Sequence, residues 1–323
     1  MRPFTLSFFL FLSAGSGFVA RAEMALFMEE PFATFGRLNP TGHAAIYLSH
    51  VCAATPVTLR RCGPDEPGVV ISRYHLVGGY DWLAIPLLPY LYAVDRPEDI
   101  PARIDARTEE LLRDRYRRDN LREIVPDSPT GKPPDGNWIE LLGAAYDRRI
   151  YALEVDTTEE QDDRLIEQFN SARNRECFNL LFRNCAGFAR RMVDFYYPHA
   201  AGRSSVLDLG LATPKKLAKS LIRYGRRHPD SGFRAYVIAQ IPGLPRSKEI
   251  RGVLESLLSG PEYTLPVMAV HPLLLGGVAV AYVTRSFLPG RPHFPGNIGV
   301  SLDPAEIPQK LAFEDRSAQA GAD

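Results

Sequence analysis

Three short runs near the start of the chain have the composition of β-strands. The runs cover residues 43–51, 56–61 and 68–75 and are rich in Val, Ile, Thr and Tyr. Turn-forming residues separate them, so the pattern predicts three neighbouring β-strands. The run RIYALEV, at 149–155, predicts a fourth strand.

Helical spacing of apolar residues begins further along the chain. Residues 105–123 predict a strongly charged helix, and Thr157 followed by Glu160 predicts a capping box that opens another. A third predicted helix begins after Asn184, within LLFRNCAGFARRMVDF. The prolines of residues 80–94 disfavour a long helix and favour an extended, partly buried segment.

The C-terminal part of the chain has a different pattern. Residues 213–225 and 246–258 show helical spacing, and residues 264–283 are apolar apart from one threonine and one histidine. This apolar run is long enough to span a bilayer, while its prolines and paired glycines fit a buried hairpin of a soluble domain. Both interpretations stay open. Residues 311–323 have the composition of a disordered tail.

Charge excludes one broad class of partner. The chain has 323 residues, with 38 Lys and Arg against 38 Asp and Glu. This balance gives no reason to expect nucleic acid. The basic segment 214–227 is an exception: it is either a solvated helix face or a surface for anionic lipid head groups.

The N-terminus has the features of a secretory signal peptide. Arg2 precedes an apolar core, and a small-x-small cleavage site ends at Ala22. We therefore expect residues 1–22 to be removed and the mature chain to begin near Glu23. An uncleaved membrane anchor is the alternative. In both cases the rest of the chain is exported to the periplasm, cell envelope or extracellular space, where disulfides form.

The cysteines differ in their surroundings. Cys52 and Cys62 flank a segment whose length suits a disulfide across or beside a hairpin. Cys185 is expected to stay reduced, and Cys177 is either a buried thiol or a second pairing partner. No cysteine has the spacing of a metal site, so we predict neither a metal nor another cofactor.

Cys185 is the candidate nucleophile. With Asn184 as the N-cap it lies in the first turn of a helix, where unpaired amides and the helix dipole favour a developing oxyanion. The same helix end is expected to lower the thiol pKa from its usual value of about 8.5, so that alkylation proceeds below that pH. The structural alternative is a small buried hydrophobe, since free cysteines are usually buried.

His43 is the candidate general base. It begins a predicted strand, and Gly42 before it allows a close approach of the backbone. A strand packed on the nucleophile helix can bring an imidazole within hydrogen-bond reach of the sulfur. The third group, which orients His43, should lie on a neighbouring strand. We rank His75 first, and the other polar candidates are Ser72, Arg73 and Glu66.

These motifs resemble the circularly permuted branch of the NlpC-type papain-like superfamily, to which lecithin:retinol acyltransferase-like proteins belong. GHAAIYL precedes FNLLFRNCAGF, so the histidine comes before the cysteine. Asn184, Cys185 and Phe188 match the NC-x-x-F motif of that family. The resemblance departs at two places: Thr55 stands where the acyltransferase relatives have a second histidine, and NCAGF stands in place of NCEHF.

The resemblance covers about residues 36–198, with an insertion at about 80–148. It implies an α+β fold with an antiparallel sheet packed on the nucleophile helix, and acyl chemistry through a thioester at Cys185 with His43 as base. The expected domains are a permuted papain-like domain at 23–210 and a helical extension at 211–310.

Two classes of function follow. The first is an exported cysteine hydrolase or acyltransferase that acts on a peptide or peptidoglycan amide, or on a lipid ester. The second is a non-catalytic envelope protein that keeps the fold as a binding scaffold; the lack of a clear third catalytic residue motivates it. A membrane structural protein is a further alternative that rests on residues 264–283 alone.

Overall fold

The computed structural model describes residues 22–32, 41–75, 77–131, 133–175, 183–202, 212–250 and 301–302. Its strands are β1 Ala22–Glu29, β2 His43–Leu48, β3 Val51–Thr55, β4 Thr58–Arg61, β5 Val69–Ser72, β6 Leu83–Pro86, β7 Ile150–Thr157, β8 Arg234–Ile238 and β9 Ser301–Leu302. Its α-helices are α1 Leu87–Tyr92, α2 Ala106–Asn120, α3 Ala144–Asp147, α4 Glu159–Ser171, α5 Cys185–Tyr196 and α6 Pro214–Arg227. Short 3-10 turns occupy Pro97–Asp99, Asn137–Leu141 and Pro229–Ser231.

One mostly antiparallel sheet organises the described part of the chain. Its strand order is β6-β5-β2-β1-β7-β8-β9, and only β8 and β9 pair in parallel. β3 and β4 form a separate hairpin that the Cys52–Cys62 disulfide closes. The fold is therefore α+β with a mostly antiparallel sheet, as predicted, and the suggested disulfide is present.

The two faces of the sheet bury different helices. On β2, Ala44, Ile46 and Leu48 belong to a core shared with α4, α5 and α6. Ala45 and Tyr47 belong to a second core, shared with α1, α2 and α3. Side chains alternate along a strand, so His43 lies on the same side as Ala45. We call the first side the α5 face and the second the His43 face.

The sequence did not predict β1, the central strand. It pairs with β2 on one side and with β7 on the other, and all of its residues are buried. Its residues are mainly Ala, Glu, Met and Leu, which favour helices over strands, and β1 directly follows the apolar N-terminus. Of the predicted signal peptide, only Ala22 lies within the described residues, where it begins β1.

Two predicted elements differ in their bounds. The capping box opens α4 from Thr158 and Gln161, because β7 continues through Thr157. The segment 80–94 contains β6 and then the short helix α1. The predicted absence of a long helix there is confirmed, while the prediction that the segment is extended holds only for β6.

The predicted C-terminal extension shares the central sheet. Its first helix is present as α6, and β8, which the sequence analysis missed, pairs with β7. Of the predicted helix at 246–258, residues 246–250 are not helical and the remainder lies outside the described residues.

The described residues include no helix that is both long and apolar enough to cross a bilayer. The apolar run 264–283 and the tail 311–323 lie outside them.

Candidate active site

The nucleophile helix begins at the predicted residue. Asn184 is its N-cap: Oδ1 accepts a hydrogen bond from the Gly187 N–H at 2.8 Å, and Nδ2 donates to the Ala212 carbonyl at 3.2 Å. Cys185 is the first residue of α5. Because Phe188 is buried in the core of the α5 face, this first turn is packed firmly on the sheet.

The Cys185 thiol is almost completely buried. The backbone N–H groups of Ala44 and Ala186 lie close enough to its sulfur to lower the thiol pKa, and 8% of the residue is exposed. Burial raises the pKa of Cys185 to about 11, outweighing both donors, and the carboxylates of Glu140 and Glu29 also raise it. The expected lowering of the thiol pKa is therefore wrong. The helix end is in place, but the sulfur is removed from water, so the neutral thiol is the stable form at neutral pH.

Gly42 sets the position of His43. Its φ of +73° lies in the left-handed region, and a Cβ there would come within 2.2 Å of the Glu29 carbonyl oxygen. The close backbone approach predicted for this glycine is therefore confirmed. It allows His43 to begin β2 directly opposite Glu29 on β1.

Ser72 contacts one nitrogen of the His43 ring. His43 Nε2 and Ser72 Oγ are 2.6 Å apart, and Ser72 Oγ donates to the Ala44 carbonyl at 3.2 Å. A hydroxyl has one proton to donate, so while Ser72 donates to Ala44 it can only accept from His43. In the tautomer that makes this bond, the imidazole carries its proton on Nε2 and has its lone pair on Nδ1.

The other candidates for the third group lie elsewhere. His75 is exposed, and its carbonyl accepts from Asn137. Arg73 is buried in an ion pair with Asp81 and lies over the Phe188 ring, at 5.3 Å from its centroid. The partner of Glu66 is Arg60 on the hairpin. Ser72 is the one member of the predicted set that touches the His43 imidazole.

Ala44 is the point at which the two halves of the site come together. Its N–H lies close enough to the Cys185 sulfur to lower the thiol pKa, and its carbonyl accepts a hydrogen bond from the Ser72 hydroxyl. The regular pairing of β2 with β5 begins only at Ile46, so these backbone groups are open to side chains. The thiol approaches from α5, whereas the His43 ring makes its contacts on the opposite face of the sheet.

A buried polar network surrounds His43 on its own face. The His43 ring stacks on Tyr74, with centroids 4.5 Å apart. The Tyr74 hydroxyl is 3.2 Å from that of Tyr90, which donates to the Glu29 carboxylate. Glu29 forms an ion pair with Arg148 at 3.1 Å. This network was not predicted, because its members come from distant parts of the chain and belong to no short motif.

Burial sets the proton affinities in this network. Removal from water lowers the pKa of His43 well below its usual value, and the Arg148 charge lowers it further. Burial raises the pKa of Glu29, which the Arg148 charge and the Tyr90 hydrogen bond oppose. The imidazole is therefore neutral at pH 7, with the lone pair that a general base needs.

Comparisons of the chain with protein-family models, curated proteins and solved structures give no match.

Proposed function

We propose that this protein is an exported cysteine-dependent acyl hydrolase or acyltransferase with a permuted papain-like arrangement. One observation carries the proposal: the Cys185 sulfur lies close to the backbone N–H of Ala44, the residue next to His43. The candidate nucleophile and base, distant in sequence, thus lie at neighbouring positions of the fold. Cys185 also begins a capped helix, whose amides favour negative charge.

The proton affinities favour activation from a neutral pair. The thiol is protonated and the imidazole neutral before substrate arrives. The proposed mechanism therefore requires His43, the first residue of β2, to reach around the end of the strand and take the thiol proton through Nδ1 as the sulfur attacks a carbonyl carbon. The carbonyl electrons move to oxygen and return as the C–N or C–O bond breaks. The leaving group takes the proton from His43 and leaves a thioester on Cys185. Water, or an acceptor hydroxyl or amine, then cleaves the thioester with His43 again as base.

The substrate we place first is a peptide or peptidoglycan amide, since an exported enzyme meets such bonds at a cell wall. A lipid ester is the second class. The apolar segment 264–283 that favours it lies outside the described residues.

The test is to trap the thioester. The mature chain is mixed with peptide thioesters, peptide amides or short-chain lipid esters. The reaction is quenched in acid, and the mass of the protein is measured by mass spectrometry. We expect an acyl adduct on Cys185 in wild type and in Cys177→Ala, and none in Cys185→Ala. Adducts that persist in Cys185→Ala refute the proposal.

Burial of the thiol supports one alternative, a non-catalytic binding protein. A pKa raised to about 11 is what an inert structural cysteine shows. This alternative predicts no adduct from any donor, together with a loss of about 1 kcal/mol or more in the stability of Cys185→Ala, because removal of the buried sulfur leaves a cavity.

A further inference from the structure

We infer that Tyr74 is a positioning residue for His43, and that the buried network of Tyr90, Glu29 and Arg148 holds Tyr74 in place. The inference rests on the proposed function, in which His43 is the base. It adds a role for residues that no motif in the sequence marks.

The Tyr74 ring fixes the one degree of freedom that Ser72 leaves open. A hydrogen bond at Nε2 holds one corner of the imidazole, but the ring can still pivot about that point. Tyr74 lies against its face with an interplanar angle of 18° and centroids 4.5 Å apart. Both rings are buried, Tyr74 with 5% and His43 with 7% of their surface exposed. Together, the stack and the hydrogen bond define where Nδ1 points.

Hydrogen bonds hold Tyr74 where the sheet no longer does. β5 ends at Ser72, so Tyr74 follows the strand without regular pairing. Its hydroxyl donates to the Glu140 carbonyl at 2.9 Å and is 3.2 Å from the Tyr90 hydroxyl. The Tyr90 hydroxyl in turn donates to Glu29.

Arg148 closes this network. It lies 3.1 Å from Glu29 and 3.3 Å from the Glu140 carboxylate. Arg148 therefore connects Glu29, which accepts a hydrogen bond from Tyr90, to Glu140, whose carbonyl accepts one from Tyr74. A network closed in this way is rigid, and rigidity is what a catalytic base requires, because misplacement by about 1 Å can cost about a hundredfold in rate.

The direct test is an NMR measurement that does not depend on activity. Protons of the His43 ring stacked on Tyr74 should be shifted upfield by its ring current. We expect Tyr74→Phe to keep part of this shift, because the ring remains but its hydroxyl anchors are lost, and Tyr74→Leu to lose it. A shift that survives in Tyr74→Leu overturns the stack, and with it the inference.

The second arm measures acylation of Cys185. We expect Tyr74→Leu to lower the rate constant by about tenfold to a hundredfold with KM unchanged. Tyr74→Phe should restore part of the rate, because it keeps the ring but not the hydroxyl that anchors it. Val77→Ala, a truncation in the same core, is the control for lost stability. If Tyr74→Leu loses no more rate than Val77→Ala, Tyr74 has no positioning role.

Two further outcomes have defined consequences: a Tyr74→Leu variant that does not fold, and a wild type that forms no acyl adduct. If Tyr74→Leu does not fold, Tyr90→Phe replaces it: we expect a smaller upfield shift and a lower rate, and no change in either overturns the anchoring. If wild type forms no acyl adduct while the upfield shift is present, the proposed function fails and the stack stands as a structural feature alone.

Discussion

The two faces of the sheet bury different kinds of side chain. The α5 face is filled largely by aliphatic and aromatic side chains, and Cys185 begins the helix packed on it. The His43 face buries the charges of Glu29 and Arg148 among tyrosines. Apolar burial stabilises through area removed from water, whereas a buried ion pair stabilises only while both partners remain. The surroundings of Cys185 should therefore tolerate single substitutions better than those of His43.

The largest expected effect comes from breaking the ion pair on the His43 face. Arg148→Met leaves the fully buried Glu29 carboxylate without its counter-charge. We expect a loss of about 3–5 kcal/mol in the free energy of unfolding, measured by urea denaturation. The double variant Arg148→Met/Glu29→Gln should recover part of this loss. A loss below about 1 kcal/mol in the single variant would mean that the pair is not buried as described.

The next effect comes from the backbone that joins the two faces. Gly42→Ala places a Cβ 2.2 Å from the Glu29 carbonyl oxygen, whereas at Gly79, with a similar positive φ of +74°, a Cβ meets nothing within 4 Å. We expect Gly79→Ala to cost about 1 kcal/mol for its conformation and Gly42→Ala about 2–3 kcal/mol or more. Equal melting temperatures for the two variants would contradict the close approach at Gly42.

A smaller effect, of opposite sign, is expected on the α5 face. Asp162 of α4 accepts a hydrogen bond from the Tyr196 hydroxyl at 2.8 Å, and burial raises its pKa to about 6. A raised pKa in the folded state contributes stability at low pH that is lost as the pH rises through about 6. Asp162→Asn should therefore be more stable than wild type at pH 7, by about 1–2 kcal/mol.

The measurement is thermal unfolding of wild type and Asp162→Asn from pH 4.5 to pH 7.5. The difference between the two proteins should grow with pH, since other titrating groups cancel. A difference that is constant, or that favours wild type at pH 7, would show that the carboxylate is adequately solvated or paired.

The smallest expected effect is a dependence of stability on pH that is caused by His43. Its pKa is lowered by burial and by Arg148, so the folded state holds the ring neutral. Its contribution to stability is present above the unfolded pKa of about 6.5 and is lost as the pH falls below that value. The melting temperature of wild type relative to His43→Gln should fall between pH 7.5 and pH 5. A parallel pair of curves would show that His43 titrates normally.

The sequence predicted those parts of the fold that depend on local patterns. The Asn184 cap, the strands around His43 and the Cys52–Cys62 hairpin each follow from residues close together in the chain. β1 escaped prediction because its sequence, AEMALFME, consists mainly of residues that favour helices over strands.

In the candidate site, too, local features could be predicted and tertiary ones could not. Cys185 and His43 were predicted from their local context, and Ser72 was named among the candidates for a third group. The thiol pKa was misjudged because burial depends on tertiary packing, which the helix start alone does not reveal. Glu29, Tyr90 and Arg148 were missed because they meet only in the folded state.

The most direct test of the account is the rate of acylation of Cys185 in wild type and in His43→Gln, measured under single-turnover conditions at pH 7. If His43 is the base for a buried neutral thiol, the variant should acylate about a hundredfold or more slowly, while Cys177→Ala acylates at the wild-type rate. Equal rates in wild type and His43→Gln would show that the imidazole takes no proton from the thiol, and would contradict the paired site.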